Sequence, residues 1–171
     1  HGIVVPAKNF GHDLDVMLAS IRPDTHGVFI ANPNNPTGTL LAAADLESFL
    51  RRAPKTVMVV VDDAYNEYLA PDLRCPSIAW LARFPNLIVT RTFSKVYGLA
   101  GLRVGYAVCH PEVAALLNRV RQPFNVNNLA LVAAVAALAD DEFLRESFDL
   151  NAAGMKQLLD GCKRLGLSWI P

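Results

Sequence analysis

Apolar positions fall along the chain in two rhythms. Short unbroken runs rich in β-branched residues recur at Val28-Phe-Ile-Ala31, Thr56-Val-Met-Val-Val-Val61, Asn86-Leu-Ile-Val-Thr-Arg91 and Tyr106-Ala-Val-Cys109, and read as strands. Between them the apolar residues recur every three or four positions, as on one face of a helix. Leu14, Met17, Leu18 and Ile21 form such a face behind a capping Asp13, and Leu46, Phe49 and Leu50 form another. Ser77 is placed to cap a short helix through Ile78, Leu81 and Ala82. Further strands are predicted at Ile3-Val-Val5 and from Leu167 to Ile170. The run ending at Val61 is apolar throughout rather than alternating, which predicts a strand covered on both faces, as in a parallel sheet.

Strands alternating with helices at short spacing predict an α/β fold with a mainly parallel sheet flanked by helices. After Pro111 the pattern becomes helical: Val113, Leu116, Leu117 and Val120 share a face, residues 128–139 are alanine-rich and apolar, and residues 141–165 are amphipathic. A change of subdomain is expected near Asp140-Asp141. It divides the chain into a large unit over residues 1–139 and a linking helix that opens a smaller C-terminal α/β unit over residues 140–171.

Composition narrows the function classes. The 171 residues carry a formal net charge of zero and no basic stripe, which argues against nucleic acid as a partner. The longest apolar run, Leu129 to Ala139, is too short to cross a bilayer. Cys75, Cys109 and Cys162 are odd in number and widely spaced, which fits reduced thiols of a cytoplasmic protein. The four histidines lack metal-ligand spacing. The chain starts at His1 and stops at Pro171 just as a strand opens, so it is expected to be a piece of a longer protein.

Polar clusters follow three of the strands: Asn32-Pro-Asn-Asn-Pro-Thr-Gly38, Asp62-Asp-Ala-Tyr65 and the stretch from Thr92 to Arg103. In a parallel sheet all would emerge on the edge formed by the strands' carboxyl ends, where α/β proteins bind ligands. Each has an ordinary reading as turn, helix cap or hinge, and only their combination points to a site. Lys95 is central to it. It follows an apolar strand, and Arg103 stands eight positions on. A nearby cation disfavours protonated lysine and makes the amine a better nucleophile.

These motifs, in this order, resemble those of the fold-type I pyridoxal 5'-phosphate (PLP) aminotransferases. The stretch Arg91-Thr-Phe-Ser-Lys95, followed by Tyr97-Gly-Leu-Ala-Gly-Leu-Arg-Val-Gly-Tyr106, is most similar to the histidinol-phosphate aminotransferase subgroup, as is Arg121-Gln-Pro-Phe-Asn125. The resemblance implies that the predicted sheet is most of a large PLP-binding domain. It implies that Lys95 bonds covalently to the cofactor and later shuttles a proton, and that Asp62 pairs with the pyridine nitrogen. Tyr65 and Asn35 would hydrogen-bond the phenolic oxygen, and Arg103, with Thr92 and Ser94, would grip the phosphate.

The implied reaction moves an amino group from L-histidinol phosphate to 2-oxoglutarate, giving imidazole acetol phosphate and glutamate in histidine biosynthesis, in a cytoplasmic homodimer. Related scaffolds transaminate aromatic amino acids or decarboxylate phosphothreonine, and a remnant of the fold would serve as a binding or dimerisation module. Retention of Lys95, Asp62, Tyr65 and Arg103 argues against the remnant. The family's usual Asp-Glu-Ala-Tyr reads Asp-Asp-Ala-Tyr here, a change expected to have little effect. Its upstream phosphate loop, ring-stacking aromatic and carboxylate-binding arginine do not match any part of this chain, so the piece alone is expected to be an incomplete catalyst. A nicotinamide-binding fold is disfavoured because the glycines lead into a strand rather than a helix. Thr92-x-x-Lys95 lacks the partner motifs of penicillin-binding enzymes.

Overall fold

The computed structural model describes residues 1–170. Helix α1 (Leu14–Ala19) is capped by Asp13, whose carboxylate accepts the Val16 N–H. Strand β1 (Gly27–Ala31), helix α2 (Ala43–Arg52), strand β2 (Met58–Asp62), short helix α3 (Ser77–Trp80) and strand β3 (Leu87–Thr92) follow. Strand β4 (Gly105–Cys109) leads to helices α4 (Pro111–Val120), α5 (Asn128–Leu138) and α6 (Asp141–Arg164).

The four strands form one sheet in the order β1-β2-β3-β4. β1, β2 and β3 are parallel, and β4 returns antiparallel to β3. The α/β class and mainly parallel sheet expected from the strand-helix alternation are therefore present. Register aligns Val28, Val59 and Leu87 across the sheet, and likewise Ile30, Val61 and Val89. These residues meet Leu46, Phe49, Leu50 and Trp80 in the main core.

One expectation needs correction here. Among the described residues, helices bury only that face of β1 and β2. On the other face Phe29 is 73% exposed, and its neighbour Val60 is half-buried. An apolar run reports the absence of polar partners, not how much of each face is covered.

A second core forms around the loop after β3. Phe93, Val96, Tyr97 and Val104 pack there against Ala130 and Ala134 of α5. The rest of α5 is apolar but exposed among the described residues, with Leu129, Val132 and Val135 each more than two-thirds open. Neither Ile3–Val5 nor Leu167–Ile170 is a strand. Both are apolar enough, but a strand exists only where another can complete its ladder, and neither segment pairs with one of the four. Ser77 opens α3 without capping it; its hydroxyl turns inward instead.

Candidate active site

Because β1, β2 and β3 run the same way, their carboxyl ends bring the three polar clusters to one edge. Ala31, Asp62 and Thr90 stand side by side in the ladder, and the Asn32 N–H donates to the Asp62 carbonyl at 3.0 Å. A cavity of about 550 Å³ opens at this edge. Its lining includes every residue singled out from the sequence: Asn35, Asp62, Tyr65, Thr92, Ser94, Lys95 and Arg103.

Asp62 ends β2. Its Oδ1 accepts hydrogen bonds from the Ala64 N–H and the Thr90 hydroxyl, each at 3.2 Å. Oδ2 has no hydrogen-bond partner among the described residues and remains able to accept one. The turn after Asp62 carries Tyr65, whose phenolic oxygen accepts from Asn35 Nδ2 at 3.0 Å. Loops following two different strands are thereby tied together at the cavity.

Lys95 is exposed, and its ammonium lies 5.0 Å from the centroid of the Tyr65 ring. The sequence expectation about its charge is overturned. The neighbouring phenol of Tyr65, through its hydroxyl first, holds the Lys95 pKa above the ordinary 10.5, and Arg103 is not among the causes. The sign follows from chemistry, since a phenolic oxygen accepts from an ammonium and favours the charged form. Separation in sequence carried no information about which group the amine faces.

Arg103 has a left-handed backbone, φ 55°, and donates from Nη1 to the Ala100 carbonyl at 2.7 Å. Its other guanidinium nitrogens make no hydrogen bond among the described residues. Two glycines allow this loop to form. Gly98 sits at φ +69°, and a Cβ on Gly105 would stand 2.8 Å from the Arg91 carbonyl oxygen. Thr92 Oγ1 accepts the Ser94 N–H at 3.0 Å and orders the turn that presents Lys95.

Two contributors were not given roles from the sequence. Thr90 holds Asp62, and the signal for it was a hydroxyl two positions before Thr92, on the same strand face. Arg91 was quoted only as part of a motif. It forms a half-buried ion pair with Asp63 at 3.3 Å and another with Glu67 at 3.3 Å. Asp63 is 1% exposed and does not line the cavity. Burial pushes its pKa above the ordinary 3.8, against the pull of the Ser77 hydroxyl and the Arg91 guanidinium.

The lining brings together one amine, one carboxylate with an open oxygen, two guanidinium groups, three hydroxyls and a phenol–amide pair. Such a set fits the small anionic aldehyde, with its ring nitrogen and phenolic oxygen, that the sequence resemblance implies. The cavity is also of a size usual for small-molecule sites.

Comparison with known proteins gives the same direction. A family model described as aminotransferase class I and II matches residues 3–171. The chain is 61% identical over 170 residues to histidinol-phosphate aminotransferase 2 of Nitrosospira multiformis, covering 99% of this chain and 43% of that protein. It is 62% identical over 170 residues to the histidinol-phosphate aminotransferase of Methylobacillus flagellatus, covering 99% and 46%. The crystal structure of histidinol-phosphate aminotransferase from Sinorhizobium meliloti, in complex with pyridoxal-5'-phosphate, superposes with a TM-score of 0.93 at 35% identity, covering 99% of this chain and 46% of that one. The chain thus spans a little under half the length of these relatives. With its sheet, its cavity lining and a family match that runs almost end to end, the chain belongs to the class I and II aminotransferases.

Proposed function

We propose that this chain is the major part of the cofactor-binding half of a PLP-dependent aminotransferase that converts L-histidinol phosphate and 2-oxoglutarate to imidazole acetol phosphate and glutamate, in histidine biosynthesis. The observation that carries this reading is the convergence of Lys95, Asp62, Tyr65 and Arg103 on one cavity. The roughly 60% identity to histidinol-phosphate aminotransferases supports the choice of amino donor. In this reading residues 1–139 belong to the large domain, and residues 140–171 lead into a smaller C-terminal one. The working enzyme is a cytoplasmic homodimer, and sedimentation of the full-length protein tests its oligomeric state.

When bound, PLP supplies an aldehyde and a ring that withdraws electrons from the substrate's Cα. The residues of this chain do the rest. The Lys95 amine would hold the cofactor through its aldehyde and, once free, would serve as the base that moves the proton on the substrate's Cα. A neutral amine is suited to both tasks, being a nucleophile and a base. Asp62, fixed through Oδ1, offers Oδ2 to keep the ring nitrogen protonated. An amide there would not hold that proton. Tyr65, oriented by Asn35, would hold the cofactor's phenolic oxygen. Arg103 would use the nitrogens not committed to Ala100 to hold the phosphate, with the Thr92 and Ser94 hydroxyls also lining the cavity.

The Tyr65 contact favours the charged lysine, so the free amine is stored protonated, and binding an anionic cofactor next to it is electrostatically favourable. Lys95 would bond the cofactor only as the neutral amine, after that proton had left.

The test uses the full-length protein loaded with PLP and mixed separately with histidinol phosphate, phenylalanine and phosphothreonine. Histidinol phosphate is expected to convert the cofactor fully to its amine form. Conversion by phenylalanine alone would assign the site to an aromatic aminotransferase, and carbon dioxide release from phosphothreonine would assign it to a decarboxylase. Lys95→Ala is expected to abolish turnover while retaining part of the cofactor binding.

A further inference from the structure

Beside the cavity lies a cluster of largely buried polar side chains, of which Arg91 lines it while Ser77, Asp63 and Glu67 do not. Ser77, fully buried at the start of α3, donates its hydroxyl to Asp63 Oδ2 at 2.5 Å. The same oxygen accepts from Arg91 Nη2 at 3.3 Å, and Arg91 Nη1 reaches Glu67 at 3.3 Å. Arg91 Nε is buried with no partner, so its guanidinium is held only from the far end. Cys75, two residues before Ser77, has its thiol 3.5 Å from Asn32 Nδ2 at the root of the loop that carries Asn35.

Asp63, Glu67 and Arg91 each sit within two residues of a cavity group. Asp63 follows Asp62, and its main-chain N–H donates to the Thr90 carbonyl at 2.9 Å. Its own carbonyl accepts the Asn66 N–H at 3.0 Å, which closes the turn bearing Tyr65. Arg91 lies between Thr90 and Thr92. A buried ionic cluster is a poor source of stability, since apolar residues of similar volume often serve as well. What such a cluster does supply is a fixed arrangement, because every displacement leaves a charge unpaired. Its placement beside the working edge accounts for its presence better than stability does.

We propose that Ser77 and Asp63 are positioning residues: Ser77 holds the Asp63 carboxylate, Asp63 holds Arg91, and the linked set fixes where Asp62 and Tyr65 stand at the cavity. This rests on the PLP reading above. Neither residue lines the cavity, and both act through the turn at residues 62–65. The charged or titratable groups around Asp63 are Arg91, Glu67 and Cys75; those around Lys95 are Tyr65 and Tyr68.

The experiment compares full-length wild type, Ser77→Ala and Asp63→Asn by PLP titration and by the pH dependence of the bound cofactor's visible absorbance. Both variants are expected to bind PLP about five- to tenfold more weakly, the loss associated with one displaced hydrogen bond. Their absorbance midpoint is expected to move upward by about half a pH unit or more, since Asp62 and Tyr65 both favour the neutral linkage at Lys95 when well placed. Ser77→Ala removes a single oxygen and keeps the backbone intact, so it decides the question if Asp63→Asn fails to fold. Folded variants with wild-type affinity and midpoint would overturn the inference. A wild type that binds no PLP would instead overturn the functional reading, and this inference with it.

Discussion

Thr90 and Asp62 are register partners across the parallel β2–β3 ladder, and the Thr90 hydroxyl donates to Asp62 Oδ1 at 3.2 Å. The bond selects one carboxylate oxygen for the protein and leaves the other to the cavity. Asp62→Asn is expected to remove most of the rate in a folded protein, because the amide cannot keep a ring nitrogen protonated. Thr90→Val keeps the shape and deletes only the donor. It is expected to lower kcat in the full-length enzyme by roughly two- to tenfold, the equivalent of about 0.5–1.5 kcal/mol for one hydrogen bond. Steady-state kinetics on both variants, with circular dichroism as the check on folding, separate the two roles.

Tyr65 raises the Lys95 pKa, and the direction of that shift can be measured. In Tyr65→Phe the ring stays and the oxygen goes, so the Lys95 pKa is expected to fall back toward 10.5. Carbon-13 NMR titration of labelled lysine in the cofactor-free full-length protein reads it. The linkage sign follows: a raised lysine pKa favours the folded state below the unfolded value and loses that contribution as pH rises through the folded one. Wild type should therefore gain more than Tyr65→Phe from staying below about pH 10, and the difference should vanish above the folded pKa.

Gly105 has steric rather than conformational reasons to lack a side chain. A Cβ there meets the Arg91 carbonyl oxygen at 2.8 Å, across the antiparallel β3–β4 pair. Gly105→Ala is expected to destabilise the protein by about 1–3 kcal/mol, as overpacking does. It should also loosen PLP binding, because the strain falls between Arg91 and the loop carrying Arg103. Urea denaturation, with cofactor titration alongside, gives both numbers.

Much of this architecture is legible in the chain because its signals are local. The runs at Val28–Ala31 and Thr56–Val61 are short, apolar and β-branched and end at turn formers, which marks them as strands and places the ligand edge. Lys95, Asp62 and Arg103 were legible because the motifs around them resemble a family. What stayed hidden depends on pairing over distance. Ile3–Val5 looks like a strand but finds no partner in the sheet. Ser77 has the residue type and position of a cap, yet a buried carboxylate fourteen residues earlier takes its hydroxyl. The pKa of Lys95 moves opposite to expectation because Tyr65, thirty residues upstream, reaches it and Arg103 does not dominate it.

The most direct measurement is borohydride reduction of the full-length protein after incubation with PLP, followed by peptide mapping. The expected result is a single pyridoxyl group on the ε-nitrogen of Lys95, with loss of the visible absorbance band. A label on another lysine, or none on a folded chain, would contradict the account.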